Sequence, residues 1–197
     1  MNVSILLFDD FETLDVFGPV EILGRLKDHY QVRFYSTNGG LVRNSHGVSI
    51  ETQKLEVIAS GTDIFLIPGG LGTRPLFKDA AFLRIIKQIA TSSKYVITVC
   101  TGSVLLAMTG LLDNRAATTN KRVFDMLSPL NPNVKWIKKA RWTVDDKFYT
   151  SAGVSAGMDM TLGFLKDRHG LEFARTVAFQ IEYNWQEDKD YDNFSEQ

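Results

Sequence analysis

A cysteine between a β-branched run and a cap-rich turn is the part of this chain best suited to chemistry. Tyr95-Val96-Ile97-Thr98-Val99 reads as a buried strand with Cys100 at its end. Thr101, Gly102 and Ser103 are cap-type residues, and Val104, Leu105, Met108 and Leu111 follow at helical spacing. A nucleophile at such a strand-to-helix turn is lifted above the sheet. Amides of the helix start point at it and favour a thiolate or an oxyanion. The same mechanics underlie the nucleophile elbow of serine hydrolases, with a different glycine pattern. Thr101 places a hydroxyl and an amide beside the sulfur.

Asp15 is the candidate acid/base partner. It sits between Leu14 and Val16-Phe17, an apolar setting that raises a carboxyl pKa. Glu12 and Glu21 compete for that role on local pattern. Gly69-Gly70 lets the backbone approach a ligand and offers amides to a developing negative charge. A cysteine hydrolase normally needs an imidazole base. His29 stands near a helix end, His46 at a hairpin tip and His169 at a helix stop, so surface or capping roles are expected for all three. His169 with Glu172 resembles the rest of an amidase triad only loosely. No Asp/His/Cys cluster has metal-ligand spacing, and no phosphate-binding glycine fingerprint is present.

The elements that must position these residues alternate. Val3 to Phe8 reads as a two-sided buried strand, Gln31 to Ser36 as a strand with apolar Val32 and Phe34 alternating, and Asp63 to Ile67 as another buried strand. Between the first two lies a helix carrying Val16, Val20, Leu23 and Leu26, which Gly18-Pro19 predicts to become regular only near Gly18. Asn44 to Gly47 reads as a hairpin turn, and Phe82, Ile85, Ile86 and Ile89 mark an amphipathic helix. Shorter strands are expected at Ala116 to Thr119, Val134 to Ile137, Arg141 to Val144 and Phe148 to Thr150, with a helix around Val123 to Leu127. Two helices close the pattern, one with Met158, Leu162 and Leu165 inward, one with Phe173, Val177 and Ile181. This alternation predicts an α/β sandwich: a mostly parallel sheet, helices on both faces, and a small antiparallel addition.

In such a sheet, sites form outside the carboxyl ends of the strands. The loops after Phe8, Ile67, Val99 and Thr150 therefore converge, bringing Asp15, Gly69-Gly70, Cys100-Thr101 and Ser151 to Ser155 together. Gly69, Gly70, Ala152 and Gly153 are the candidate oxyanion and substrate-binding positions.

The bulk numbers narrow the classes of function. A chain of 197 residues, 44% hydrophobic and 23% charged, is that of one ordinary globular domain. A net charge of −1 gives no electrostatic case for nucleic acid or an anionic membrane. One cysteine forbids an internal disulfide and fits a reducing cytoplasm. The apolar run from Val3 to Phe8 has no basic start and is too short for a secretory core, and no stretch reaches transmembrane length. Residues 1–185 are expected to form a single domain, and residues 186–197 a polar, acidic tail, loose or draped over a neighbour.

Taken together, several motifs resemble the ThiJ/PfpI superfamily, related to class I glutamine amidotransferases. They are Leu14-Asp15-Val16-Phe17-Gly18-Pro19-Val20-Glu21, Ile67-Pro68-Gly69-Gly70, Val99-Cys100-Thr101-Gly102-Ser103, Gly110 to Thr119, Ser151 to Asp159, and Ile181-Glu182-Tyr183. The likeness runs from Val3 to about Tyr183 and is nearest the isonitrile hydratase branch and the amidase-like domains of some transcription regulators. It implies a flavodoxin-like three-layer sandwich, usually a homodimer, acting on a small molecule with no metal or organic cofactor. It implies Cys100 as nucleophile, Asp15 as the carboxylate facing the sulfur, and Thr101 as the residue after the nucleophile.

The chain also departs from that pattern. Thr101 stands where protease-like members carry histidine, which argues against peptidase activity. Asn120-Lys121 stands where the hydratase branch often has His-Trp, and Ser151-Ala152-Gly153 is less glycine-rich. A chain ending at Gln197 is expected to hold no added DNA-binding module. The expected activity is water addition to an isonitrile, giving an N-substituted formamide. Two alternatives are a reactive-carbonyl (glyoxalase- or deglycase-like) enzyme and a redox-responsive dimer whose exposed, low-pKa thiolate oxidises.

Overall fold

In the computed structural model, which describes residues 1–196, the strands and helices are β1 (Asn2–Leu6), α1 (Thr13–Gly24), β2 (Gln31–Ser36), β3 (Gly40–Arg43), β4 (Ser49–Lys54), β5 (Ile64–Ile67), α2 (Thr73–Leu76), α3 (Ala80–Ser92), β6 (Tyr95–Thr98), α4 (Gly102–Ala107), β7 (Ala116–Ala117), α5 (Phe124–Leu127), β8 (Lys135–Trp136), β9 (Trp142–Asp145), β10 (Phe148–Ser151), α6 (Ala156–His169) and α7 (Leu171–Gln180). The main sheet has the order β3-β4-β2-β1-β5-β6-β10-β9. Its inner pairs are parallel, and an antiparallel hairpin closes each edge, β3 with β4 and β9 with β10. The flavodoxin-like α/β sandwich is therefore present, with its antiparallel part split between the two edges. A separate parallel pair joins β7 to β8.

The central strands explain why helices cover both faces. Every residue of β5 is buried, and so are the last four of β1 and the last three of β6. A parallel strand apolar on both sides needs a layer above and below it. α6 packs on both α1 and α7, and α4 meets β5, β6 and α3.

One helix departs from expectation. α1 is regular from Thr13 and carries Pro19 inside it. Proline removes the bond that the Asp15 carbonyl would accept and costs about 3 kcal/mol in a helix interior. Val16, Ile22 and Leu23 are fully buried and contribute roughly 1.5–3 kcal/mol each. Their burial wins, and Asp15 is placed in the first turn of a rigid helix.

The polar tail is held down. Asp192 accepts an ion pair from Arg141 at 3.6 Å, its amide donates to the Lys139 carbonyl, and the Arg141 amide donates to the Lys189 carbonyl.

Candidate functional site

Cys100 occupies the turn between β6 and α4 with φ of 57°, a left-handed conformation rare outside glycine. Such a residue costs of order 1–3 kcal/mol and persists only where its surroundings over-determine it. They do here. Its amide donates to the Ala152 carbonyl at 3.1 Å, and its carbonyl accepts from Thr119 Oγ1 at 2.7 Å and from the Ser103 amide at 3.3 Å. The expected elbow is thus present, and its strain is fixed by chain segments well beyond the elbow itself.

Asp15 has no exposed surface and lies against the cysteine, close enough for each group to act on the other's ionisation. Its Oδ2 accepts the Gly69 amide at 2.8 Å, while Oδ1 has no hydrogen-bond partner among the described residues. Burial is the main cause holding this carboxyl well above the usual range, with the Glu12 charge adding to it. The Gly69 bond and Cys100 pull the other way. A buried carboxyl oxygen without a donor, close to a thiol, fits a protonated acid.

The thiol is also pushed up, first by burial and then by the Asp15 charge. Hydrogen bonds from Asn120 and from the Thr101 amide oppose this only in part. The exposed, low-pKa thiolate required by the redox alternative is not what the structure holds: Cys100 is 5% exposed. α4 is also only six residues long, too short for its dipole to outweigh burial.

The glycine amides face inward. Gly69 serves Asp15, and the Gly70 amide donates to Thr101 Oγ1 at 3.1 Å. Thr73 Oγ1 donates to the same hydroxyl oxygen at 3.1 Å. These amides build the frame around the sulfur and are not free for a substrate oxyanion, contrary to the expectation from Gly-Gly alone. A Cβ on Gly69 would stand 2.6 Å from the Thr101 amide nitrogen and 2.9 Å from Asp15 Oδ2, so only glycine lets the three segments meet.

Asn120 is the residue whose part the sequence did not reveal. Its Nδ2 donates to Cys100 Sγ at 3.0 Å, and its Oδ1 accepts the Arg122 amide at 2.9 Å. That second bond fixes which end of the amide faces sulfur. Gly153 makes room for it, since a Cβ there would fall 2.6 Å from Nδ2. Ala152 and Gly153 therefore frame the elbow, the first through its carbonyl and the second through its missing side chain.

A cavity of about 260 Å³ opens on the sulfur, lined by Cys100, Thr101, Gly70, Asn120, Glu12 and Leu71 among others. Glu12 faces this space, whereas Asp15 lies behind the cysteine and does not line it. Glu21 is elsewhere, paired with Arg25 at 2.6 Å. The histidines stand apart from the sulfur: His46 meets Thr13, and His169 meets Tyr30 beside His29. Among the described residues no group of three or more His, Cys, Asp or Glu side chains is arranged to hold a metal, and no helix is long and apolar enough to cross a membrane.

A left-handed cysteine above a parallel sheet, backed by a buried carboxyl, defines a class. The chain belongs to the DJ-1/PfpI family, whose pattern matches residues 1–167. It is 32% identical over 183 residues to isonitrile hydratase of Pseudomonas putida, covering 93% of this chain and 78% of that protein. It is also 28% identical over 165 residues to the HTH-type transcriptional regulator CdhR of Pseudomonas aeruginosa, covering 83% of this chain but 48% of the regulator. Among solved structures it resembles a ThiJ/PfpI family protein from Pseudomonas syringae, with TM-score 0.83, 25% identity, and 93% and 75% of the two chains covered. Drosophila melanogaster DJ-1beta shares the fold at TM-score 0.79 and 20% identity, over 93% of this chain and 98% of that one.

Proposed function

We propose that this protein is a cysteine-dependent small-molecule hydro-lyase that adds water to an isonitrile and releases an N-substituted formamide, working as a homodimer and without peptidase activity. The observation that carries this reading is the wholly buried Asp15 carboxyl, with one oxygen unpartnered, set against a cysteine that faces a small cavity. The likeness to an isonitrile hydratase over 93% of the chain supports it.

The isonitrile group carries no net charge, and its carbene-like terminal carbon accepts both a nucleophile and a proton. Cys100 Sγ bonds to it while a proton from the Cys100–Asp15 pair goes to the same carbon, giving a thioimidate, R–N=CH–S–Cys100. Both groups are held toward their neutral forms, so the proton is available before attack. Asn120 Nδ2 steadies the charge that sulfur gains as its proton leaves. Water then adds across the C=N bond: its oxygen goes to carbon and a proton to nitrogen. Glu12, in the cavity wall, takes the water's proton and passes it on. Collapse of the adduct breaks the C–S bond, returns the hydroxyl proton to the Cys100–Asp15 pair, and frees R–NH–CHO.

The test is turnover of a panel of simple isonitriles, with the formamide measured directly. Wild type is expected to convert at least one, and Cys100→Ala none. Absence of conversion across the panel, with lactate formed from methylglyoxal, would replace this reading with the reactive-carbonyl one.

A further inference from the structure

The cavity over Cys100 is larger than the reacting group needs. A water-sized group occupies about 30 Å³, and the space is about 260 Å³. The rest of the substrate therefore lies within it, and its lining shows what that part is. Leu71, Val123 and Leu127 supply apolar wall, and Arg74 and Arg122 supply two guanidinium groups.

Among the described residues Arg33, Arg43, Arg74, Arg84 and Arg122 have no side-chain partner, and of these Arg74 and Arg122 line the cavity. Arg115 is held by Asp145 at 2.9 Å, Arg141 by Asp159 at 2.6 Å, and Arg175 by Glu187 at 2.9 Å. Among the described residues neither the Arg74 nor the Arg122 guanidinium has a carboxylate or hydrogen-bond partner, and they come from separate segments, α2 and the turn after Asn120. The acid in the same wall is Glu12, whose carboxylate lies 3.9 Å from the His46 ring. The wall thus has a local positive excess on a chain whose net charge is −1. An isonitrile group carries no net charge, so hydration itself gives two guanidiniums nothing to do. A guanidinium pair over apolar side chains matches a carboxylate at the end of a short hydrocarbon stem.

We infer that the substrate of this site carries an anionic carboxylate on the substituent, bound by Arg74 and Arg122, with its stem against Leu71, Val123 and Leu127. For the reacting group this rests on the hydratase reading; the preference for an anion belongs to the cavity whatever the reaction.

Two measurements separate the claims. The first compares kcat/KM for an isonitrile ending in a carboxylate and for the same skeleton ending in a primary amide, in wild type, Arg74→Met and Arg122→Met. The ratio of carboxylate to amide should exceed one in wild type and fall about tenfold in each variant, the scale of one lost charge-assisted hydrogen bond. The second needs no turnover: the rate at which iodoacetate alkylates Cys100, divided by the rate for iodoacetamide. That ratio should also fall severalfold in both variants, and fall in wild type as salt is raised. Turnover of both isonitriles with ratios unmoved by either variant would overturn the inference and leave the hydratase reading standing. No turnover of either, with the alkylation ratio still falling in the variants, would overturn the hydratase reading and support the anion site. No turnover and an unmoved alkylation ratio would overturn both.

Discussion

Asp15 and Asp159 are both aspartates without exposed surface, and the chain treats them in opposite ways. Asp159 is fully satisfied. Its Oδ2 accepts Arg141 Nε at 2.7 Å and Nη2 at 2.6 Å, and its Oδ1 accepts the Tyr183 hydroxyl and the Gln186 amide, each at 3.0 Å. Among the described residues Asp15 has one amide and no cation, and one oxygen is left without a partner. Burial pushes both carboxyls up. At Asp159 the arginine answers it and holds the charge, so that group ties α6 to the segment before β9 and to the tail. At Asp15 the main opposing contacts are one backbone bond and the thiol, so the group keeps its proton. The partner set, not the burial, decides whether a buried acid is a staple or a proton donor.

This contrast can be broken in four ways, from the largest expected effect to the smallest. Asp15→Asn keeps an oxygen for the Gly69 amide but has no proton to transfer. Isonitrile turnover should fall by about 10²–10⁴-fold, the usual worth of a positioned acid, while the circular dichroism spectrum is unchanged. Activity within a fewfold of wild type would end the assignment. Asp159→Asn should do the reverse. It leaves Arg141 buried with only the more distant Asp192, at a cost of about 3 kcal/mol or a Tm lower by about 10 °C, with kcat per folded molecule little altered.

The third prediction concerns pH. The folded protein keeps a proton on Asp15 that the unfolded chain gives up above about pH 3.9. Its contribution to stability is therefore full below that value and declines as pH rises toward the raised folded pKa. The urea midpoint of wild type should fall relative to that of Asp15→Asn between pH 4.5 and 8. A constant difference would mean that Asp15 is ionised in the native state. The smallest effect is at Asn120. Asn120→Ala removes the donor to Sγ, so alkylation of Cys100 at fixed neutral pH should slow about tenfold, the worth of one hydrogen bond to a charged group. An equal or faster rate would show that Asn120 shields the sulfur instead of stabilising it.

Much of this arrangement could be read from the chain because its signals are local. The mostly parallel covered sheet follows from alternating buried strands and helices, the elbow from a β-branched run meeting cap residues, and the loop convergence from the parallel sheet. What escaped the sequence is carried by contacts between distant segments. Pro19 marked a helix break that tertiary burial overrode. Gly69-Gly70 advertised free amides, yet Asp15 and Thr101 use them. Asn120 was visible only as a departure from a familiar motif, since nothing local says that its amide meets a sulfur twenty residues earlier. Arg74 and Arg122 are exposed in the structure as their type suggests, and what the sequence hides is the cavity that their two segments share. The tail reads as loose or draped over a neighbour because it is polar and acidic, but Asp192 finds Arg141 in the body of its own chain.

The left-handed backbone at Cys100 also sets when this site comes into being. Its two clamps, Thr119 and Ala152, both lie downstream of the cysteine. A chain emerging from its N-terminus, at about 5–20 residues per second, exposes the cysteine before either clamp exists. Without them the strained conformer loses its support, and the residue relaxes to an ordinary backbone geometry. β10 must dock beside β6 before Ala152 reaches the Cys100 amide. The aimed nucleophile therefore depends on the pairing of β10 with β6, and a chain made only as far as the cysteine carries a common thiol in its place.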